Sequence, residues 1–172
     1  DLRTDTTGDI TLTSVTEDKT DLATINGYAD VILSTANITV SDDVSKAQAD
    51  TINAYNNAGG TVTLTSITDN FTNVVAAQAT AGIAMTAATI ETDNTEAVTK
   101  ANVKTLNKFT TGVVTVKSVR DTRANVEAID AIADGEVLMN TAIVSVTDAV
   151  TKANADSLNL LTVSYTHLRA HE

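Results

Sequence analysis

One stretch of this chain, Ala97-Val98-Thr99-Lys100-Ala101-Asn102, returns letter for letter at Ala149-Val150-Thr151-Lys152-Ala153-Asn154. It returns again, with small polar replacements, at Asp43-Val44-Ser45-Lys46-Ala47-Gln48. Between the copies a glycine heads a strand-like run at Gly8, Gly60 and Gly112, and these glycines are 52 residues apart. A period of that size belongs to arrays and solenoids, in which a unit hides its apolar face only against its neighbours. The chain therefore reads as residues 1–7 ending a preceding repeat, repeats at 8–59, 60–111 and 112–162, and a tail at 163–172.

Each period divides into two strand-then-helix units of about 26 residues. After each glycine the apolar residues fall at positions 0, 2 and 5: Ile10, Leu12, Val15; Val62, Leu64, Ile67; Val114, Val116, Val119. Such alternation marks a short strand with one buried face, and it sends Thr11, Thr13, Thr63, Thr65, Thr115 and Lys117 to the other face. Asp18, Asp69 and Asp121 then supply side chains suited to a helix start. The helix expected next carries Leu22, Ile25 and Ile32 in the first copy, Val74, Val75 and Ala79 in the second, and Val126, Ile129 and Ile132 in the third. Gly82 and Gly135 stand where a helix end needs a left-handed residue.

The second unit opens with Ile38 and Val40, with Ile90, and with Ile143, Val144 and Val146, followed by Asp42, Asp93 and Asp148 at the turn. Counting from Val98, the residues Ala101, Leu106 and Phe109 form one helical stripe, matched by Val44, Ala47, Ile52, Tyr55 and by Val150, Ala153, Leu158, Leu161. Strand, turn, helix, turn, strand is the order that builds a parallel sheet. The expected fold is α/β: a solenoid of strand-helix units, parallel sheet on one face and helices on the other, laid out like leucine-rich repeats. The asparagine that marks that family is replaced here by Val or Ile.

Composition narrows the chemistry. A net charge of -11 repels nucleic acid and anionic membrane surfaces. Cysteine is absent, which removes disulfides, thiolate metal sites and thiol nucleophiles. No apolar run reaches the about 18 residues a membrane span needs, and no basic-plus-apolar leader follows Asp1, so any targeting signal is expected outside this sequence. Phosphate loops, nucleophile elbows and zinc-helix motifs are also missing. The tail from Val163 to Glu172 leaves the repeat register and resembles the conceptual translation of a sequencing-library adapter. On that reading both histidines, His167 and His171, are foreign to the protein.

The repeats themselves resemble those of very long secreted or cell-surface, adhesin-like proteins of marine bacteria and cyanobacteria. The matching features are Thr-Gly-Val-Val-Thr at Thr111 to Thr115, Val-Ser-Asp-Asp-Val-Ser at Val40 to Ser45, and the Ala-rich helix ending in Ile52-Asn53 or Leu106-Asn107. The resemblance implies an extracellular, non-catalytic scaffold or adhesive stalk whose partners are neighbouring repeats, with glycans or other surface proteins as further partners. Two surfaces suit a binding module instead. Asp42, Asp43, Asp93 and Glu96 offer oxygen ligands for calcium, although helix capping explains the same carboxylates without metal. Thr11, Thr13, Thr63 and Thr65 offer a hydroxyl face to glycans or ice, although Thr also favours strands in its own right.

Overall fold

The computed structural model describes residues 8–57, 59–129, 132, 137–139 and 141–162. Six strand-helix segments follow one another. The first holds β1 (Ile10–Thr11), β2 (Ser14–Glu17) and α1 (Lys19–Asn26), and the second β3 (Val31–Ile32), β4 (Asn37–Val44) and α2 (Lys46–Tyr55). The third holds β5 (Val62–Asp69) and α3 (Phe71–Ala79), and the fourth β6 (Ile83–Ala84), β7 (Thr89–Thr92) and α4 (Lys100–Asn107). The fifth holds β8 (Val114–Thr115), β9 (Ser118–Asp121) and α5 (Arg123–Glu127), and the sixth β10 (Val137–Leu138), β11 (Ile143–Val146) and α6 (Lys152–Thr162). The chain is thus α/β, as its pattern implies. The presumed repeat remnant at 1–7, the tail at 163–172 and Gly135 lie outside the described residues.

The described residues form two compact units: those of 8–68 with 72–88, and those of 69–71 with 89–162. In the first, β4 lies between β2 and β5, β6 pairs with β5, and β1 pairs with β3, all in parallel. Val15 stands opposite Ile38, and Ile38 opposite Val62, so like positions of successive segments line up. In the second, β8 lies between β7 and β10, and β9 pairs with β11, again in parallel. Ile90 stands opposite Val114 and Val137 opposite Val114, while an isolated bridge joins Val98 to Val119.

This alignment follows from side-chain alternation. Val62, Leu64 and Ile67 turn inward with Ile38 and Val40 in the first unit, and Val114, Val116 and Val119 turn inward with Ile90 in the second; all are buried. Parallel strands are covered on the inner face by helices, and Leu22, Ile52, Val74, Val103, Leu106 and Val126 supply that cover. A buried side chain of this size contributes about 1.5–3 kcal/mol by leaving water.

The helices begin later than the apolar stripe suggests. Ser45 and Thr99 cap α2 and α4 in reciprocal capping boxes with Gln48 and Asn102, so Val44 and Val98 precede the helix in extended backbone. That shift rotates the stripe. Ala47, Ala101 and Ala153, expected inside, are exposed, and Ala49 and Val103 take the inward place. Two other expectations are corrected likewise. Ile32 lies in β3 because α1 ends at Asn26, and Ala79 is exposed while Ala77, one turn ahead of Val74 on the inner face, is buried.

A second correction concerns the strands. The expected single strand per unit is broken by a corner in even-numbered segments, where the Ala36, Ala88 and Ala142 N–H groups donate to the Leu33, Met85 and Met139 carbonyls at 2.8, 3.0 and 2.9 Å. Leu33, Ala36, Met85, Ala88 and Met139 are all buried, so these corners point their apolar ends inward. Gly60 sits hard against one of them: a Cβ there would lie 2.1 Å from the Ala36 carbonyl oxygen. Gly82 has φ of +89°, the left-handed geometry expected of it.

Candidate functional site

The acidic joints between strand and helix turn out to link segments. Lys19 opens α1, and its backbone N–H donates to Asp42 Oδ1, 2.9 Å away in the next segment, while its ammonium reaches Asp42 Oδ2 at 2.6 Å and the Asp43 carbonyl at 2.8 Å. In the second unit the same device recurs twice. The Lys100 N–H at the start of α4 donates to Asp121 Oδ2 at 2.9 Å, and the Arg123 N–H at the start of α5 donates to Asp148 Oδ1 at 2.6 Å. A helix start leaves N–H groups without intrahelical partners and carries a positive dipole end. A carboxylate from the following segment satisfies both.

The carboxyl groups respond accordingly. Desolvation pushes Asp42 up, but the Lys19 ammonium, the Lys19 N–H and the Lys19 charge outweigh it and hold the group below the usual aspartate value. For Asp121 the hydrogen bond from the Asn125 side chain leads, joined by the Lys100 and Thr122 N–H groups against an opposing desolvation, and the carboxyl is again lowered. The hydrogen bond to Asp42 raises Lys19 above its ordinary value, against desolvation. Asp18 caps the helix of its own segment in the expected way, accepting from the Thr20 and Asp21 N–H groups.

These contacts decide where the calcium candidates stand. Asp42 is held by Lys19. Asp43 accepts from the Ser66 hydroxyl at 2.7 Å. Asp93 accepts from the Thr95 N–H at 2.9 Å and the Thr95 hydroxyl at 2.6 Å. Glu96 lies half-buried between β7 and α4. The pair Asp42 and Asp43 belongs to one unit, and Asp93 and Glu96 to the other. Among the described residues no group of three acidic or histidine side chains is placed to hold a metal.

The hydroxyl candidates are all exposed: Thr11, Thr13, Thr63 and Thr65. Thr63 and Thr65 share the outer face of β5, and the Thr65 hydroxyl donates to the Val40 carbonyl at 2.8 Å. Thr11 stands opposite Ile32 in the β1–β3 pair, apart from them. The row that does form runs Thr16, Thr39, Thr63 across β2, β4 and β5. Thr16 and Thr39 escaped the sequence reading, although their alternation with Val15, Ile38 and Val40 carries the same signal. In the second unit the corresponding row holds Glu91 opposite Thr115, and Lys117 pairs with Glu91 at 3.2 Å.

The lysines that recur at one helix position are partly spent on ion pairs. Lys46 pairs with Asp50, and Lys152 with Asp156 at 2.6 Å, as their four-residue spacing implies. Among the described residues no helix is long and apolar enough to cross a membrane. No protein-family model, curated protein or solved structure matches this chain.

Proposed function

We propose that this chain is a non-catalytic structural segment of a large extracellular repeat protein, a solenoid whose strand-helix segments stack in series and act as spacer or adhesive surface. One observation carries the reading: each unit by itself repeats one set of contacts between successive segments. Ile38 meets Val62 and Ile90 meets Val114 in the strands, and Asp42, Asp121 and Asp148 each hold the start of the preceding segment's helix. Contacts that recur at one repeat distance make stability a sum over neighbours, with each added repeat strengthening the rest. The extracellular placement, the adhesin-like role and the foreign origin of residues 163–172 rest on the resemblances drawn from sequence.

The test is length. Proteins carrying one, two and three 52-residue repeats are expected to melt at successively higher temperatures, the single repeat barely folded. Equal melting temperatures at all three lengths would mean independent modules, and the reading would fall.

A second reading is favoured by the row Thr16, Thr39, Thr63, whose hydroxyls lie side by side at the strand spacing of about 4.8 Å. That face suits weak, multivalent contact with glycan hydroxyls. Binding to a glycan array that disappears in Thr39→Val would support it; an array with no binding would leave the spacer role alone.

A further inference from the structure

One pair of neighbours in this chain carries chemistry that needs no partner molecule. Asn26-Gly27 is the chain's one Asn-Gly step. The backbone nitrogen that follows an asparagine can attack its side-chain carbonyl carbon, Cγ. Glycine obstructs that attack least, having no Cβ and the widest backbone freedom. The matching place in the next repeat, 52 residues on, holds Gln78-Ala79. There the side chain is a methylene longer, the ring to be closed is larger, and a Cβ stands beside the nucleophile.

The fold holds the pair at the end of α1. Asn26 is the last residue of the helix and Gly27 is its cap, with φ of -74° and ψ of -11°. The Gly27 N–H donates to the Ala23 carbonyl at 3.0 Å and to the Thr24 carbonyl at 3.1 Å. A nitrogen committed to carbonyls of the preceding turn is withheld from its neighbour's side chain. The Asn26 side chain is exposed, and among the described residues no hydrogen bond holds it. Electrophile and water are thus in place, and the nucleophile alone is held back. The hold is a last helical turn, the part of a helix that opens most readily. Leu22 is fully buried but Ile25 only half-buried, and no basic residue in that turn answers the negative end of the helix.

We propose that Asn26 is a self-modifying site whose rate is set by opening of the last turn of α1. Once the two bonds open, the Gly27 nitrogen gives up its proton and bonds to Asn26 Cγ. The Cγ–Nδ2 bond breaks, and Nδ2 takes up a proton and leaves as ammonia. Water then adds across one carbonyl–nitrogen bond of the five-membered imide, and nothing is oxidised or reduced. Opening on the side-chain side leaves aspartate; opening on the backbone side leaves isoaspartate, whose main chain runs through Cβ and Cγ. Either product puts a new negative charge at the negative end of α1, with Asp30 four residues on. Isoaspartate also lengthens the main chain just before the turn that sets β3 against β1. There the Val31 N–H donates to the Tyr28 carbonyl at 3.2 Å and the Ile10 N–H to the Asp30 carbonyl at 2.7 Å. The first event therefore weakens the turn that delayed it.

Incubation of the full-length protein at mildly alkaline pH tests this, read by peptide mass mapping and by enzymatic methylation of isoaspartate. In urea Asn26 is expected to convert ahead of every other asparagine, and in the folded protein about a hundredfold more slowly than in urea. Gly27→Ala is expected to keep the fold and to slow conversion in urea about tenfold. Asp18→Ala removes the carboxylate that caps the other end of α1 and is expected to speed conversion in the folded protein about fivefold. Ile25→Ala, in the last turn itself, gives the same reading should Asp18→Ala fail to fold. Equal rates in folded and unfolded protein, or in the parent and both helix variants, would overturn the gate. Conversion in urea that is no faster at Asn26 than at the other asparagines, or is unchanged by Gly27→Ala, would overturn the site.

Discussion

Gly60→Ala is the sharpest probe of how closely successive segments approach. A Cβ at Gly60 would lie 2.1 Å from the Ala36 carbonyl oxygen and 2.6 Å from its carbon, where ordinary contact begins at 3.4 Å. Both neighbours are backbone, so no side chain can rotate away, and the strands must separate by about 1 Å in an interior packed like a crystal. That movement strains the hydrogen bond from the Ile38 N–H to the Thr61 carbonyl at 2.8 Å and the one from the Thr61 N–H to the Asn37 side chain at 3.0 Å. Overpacking costs about 1–3 kcal/mol, and two weakened hydrogen bonds add about 0.5–1.5 kcal/mol each. The expected loss is about 2–6 kcal/mol, read as a melting temperature lower by roughly 10 °C. Gly27→Ala is the control, because that glycine ends α1 with φ of -74° and its nearest neighbour stands at 3.3 Å. It is expected to change stability by no more than about 0.5 kcal/mol. Urea unfolding of the two variants beside the parent protein measures both, and a Gly60→Ala midpoint equal to that of Gly27→Ala would refute the close approach.

Other outcomes follow from the same contacts. Leu106→Ala empties a fully buried helix position and is expected to cost about 2–5 kcal/mol in urea unfolding. Thr99→Ala removes the capping box of α4 and is expected to cost about 1 kcal/mol by the same measurement. Asp42 and Asp121 have folded values below the ordinary 3.8. Their contribution is therefore present above that value and lost as pH falls through the lowered folded values. Thermal melts between pH 6 and 2 are expected to fall steeply below about pH 4, and the double variant Asp42→Asn/Asp121→Asn is expected to flatten that fall. Millimolar calcium is expected to leave the melting temperature unchanged, since the candidates Asp42, Asp43 and Asp93 are already engaged by Lys19, Ser66 and Thr95; a clear rise would favour the metal-binding alternative.

What the residues reveal in advance depends on how far apart in sequence the deciding partners lie. The glycine-headed strands were legible because alternation is local: Val62, Leu64 and Ile67 go in, Thr63 and Thr65 go out. The existence of the helices was legible too, but their starts were not. Val98 reads as a helical residue by spacing, yet the Thr99 side chain and Asn102 close a capping box that leaves Val98 to bridge to Val119. The corners at Leu33–Ala36, Met85–Ala88 and Met139–Ala142 were hidden because Leu-Ser-Thr-Ala and Met-Thr-Ala-Ala share size and polarity rather than letters. The carboxylate links were hidden for a different reason. Asp42, Asp121 and Asp148 sit beside helix starts in their own segments, so local rules assign them as caps there, whereas their helix-start partners lie 23, 21 and 25 residues earlier. Only the fold brings those pairs together.

Parallel, in-register contact between successive segments can be observed directly by cross-strand nuclear Overhauser effects in isotope-labelled protein. Contacts linking the backbone of Ile38 with that of Val62, and of Ile90 with that of Val114, are expected in one sample at one offset. Contacts shifted by a residue, antiparallel in pattern, or absent from either pair would contradict the account.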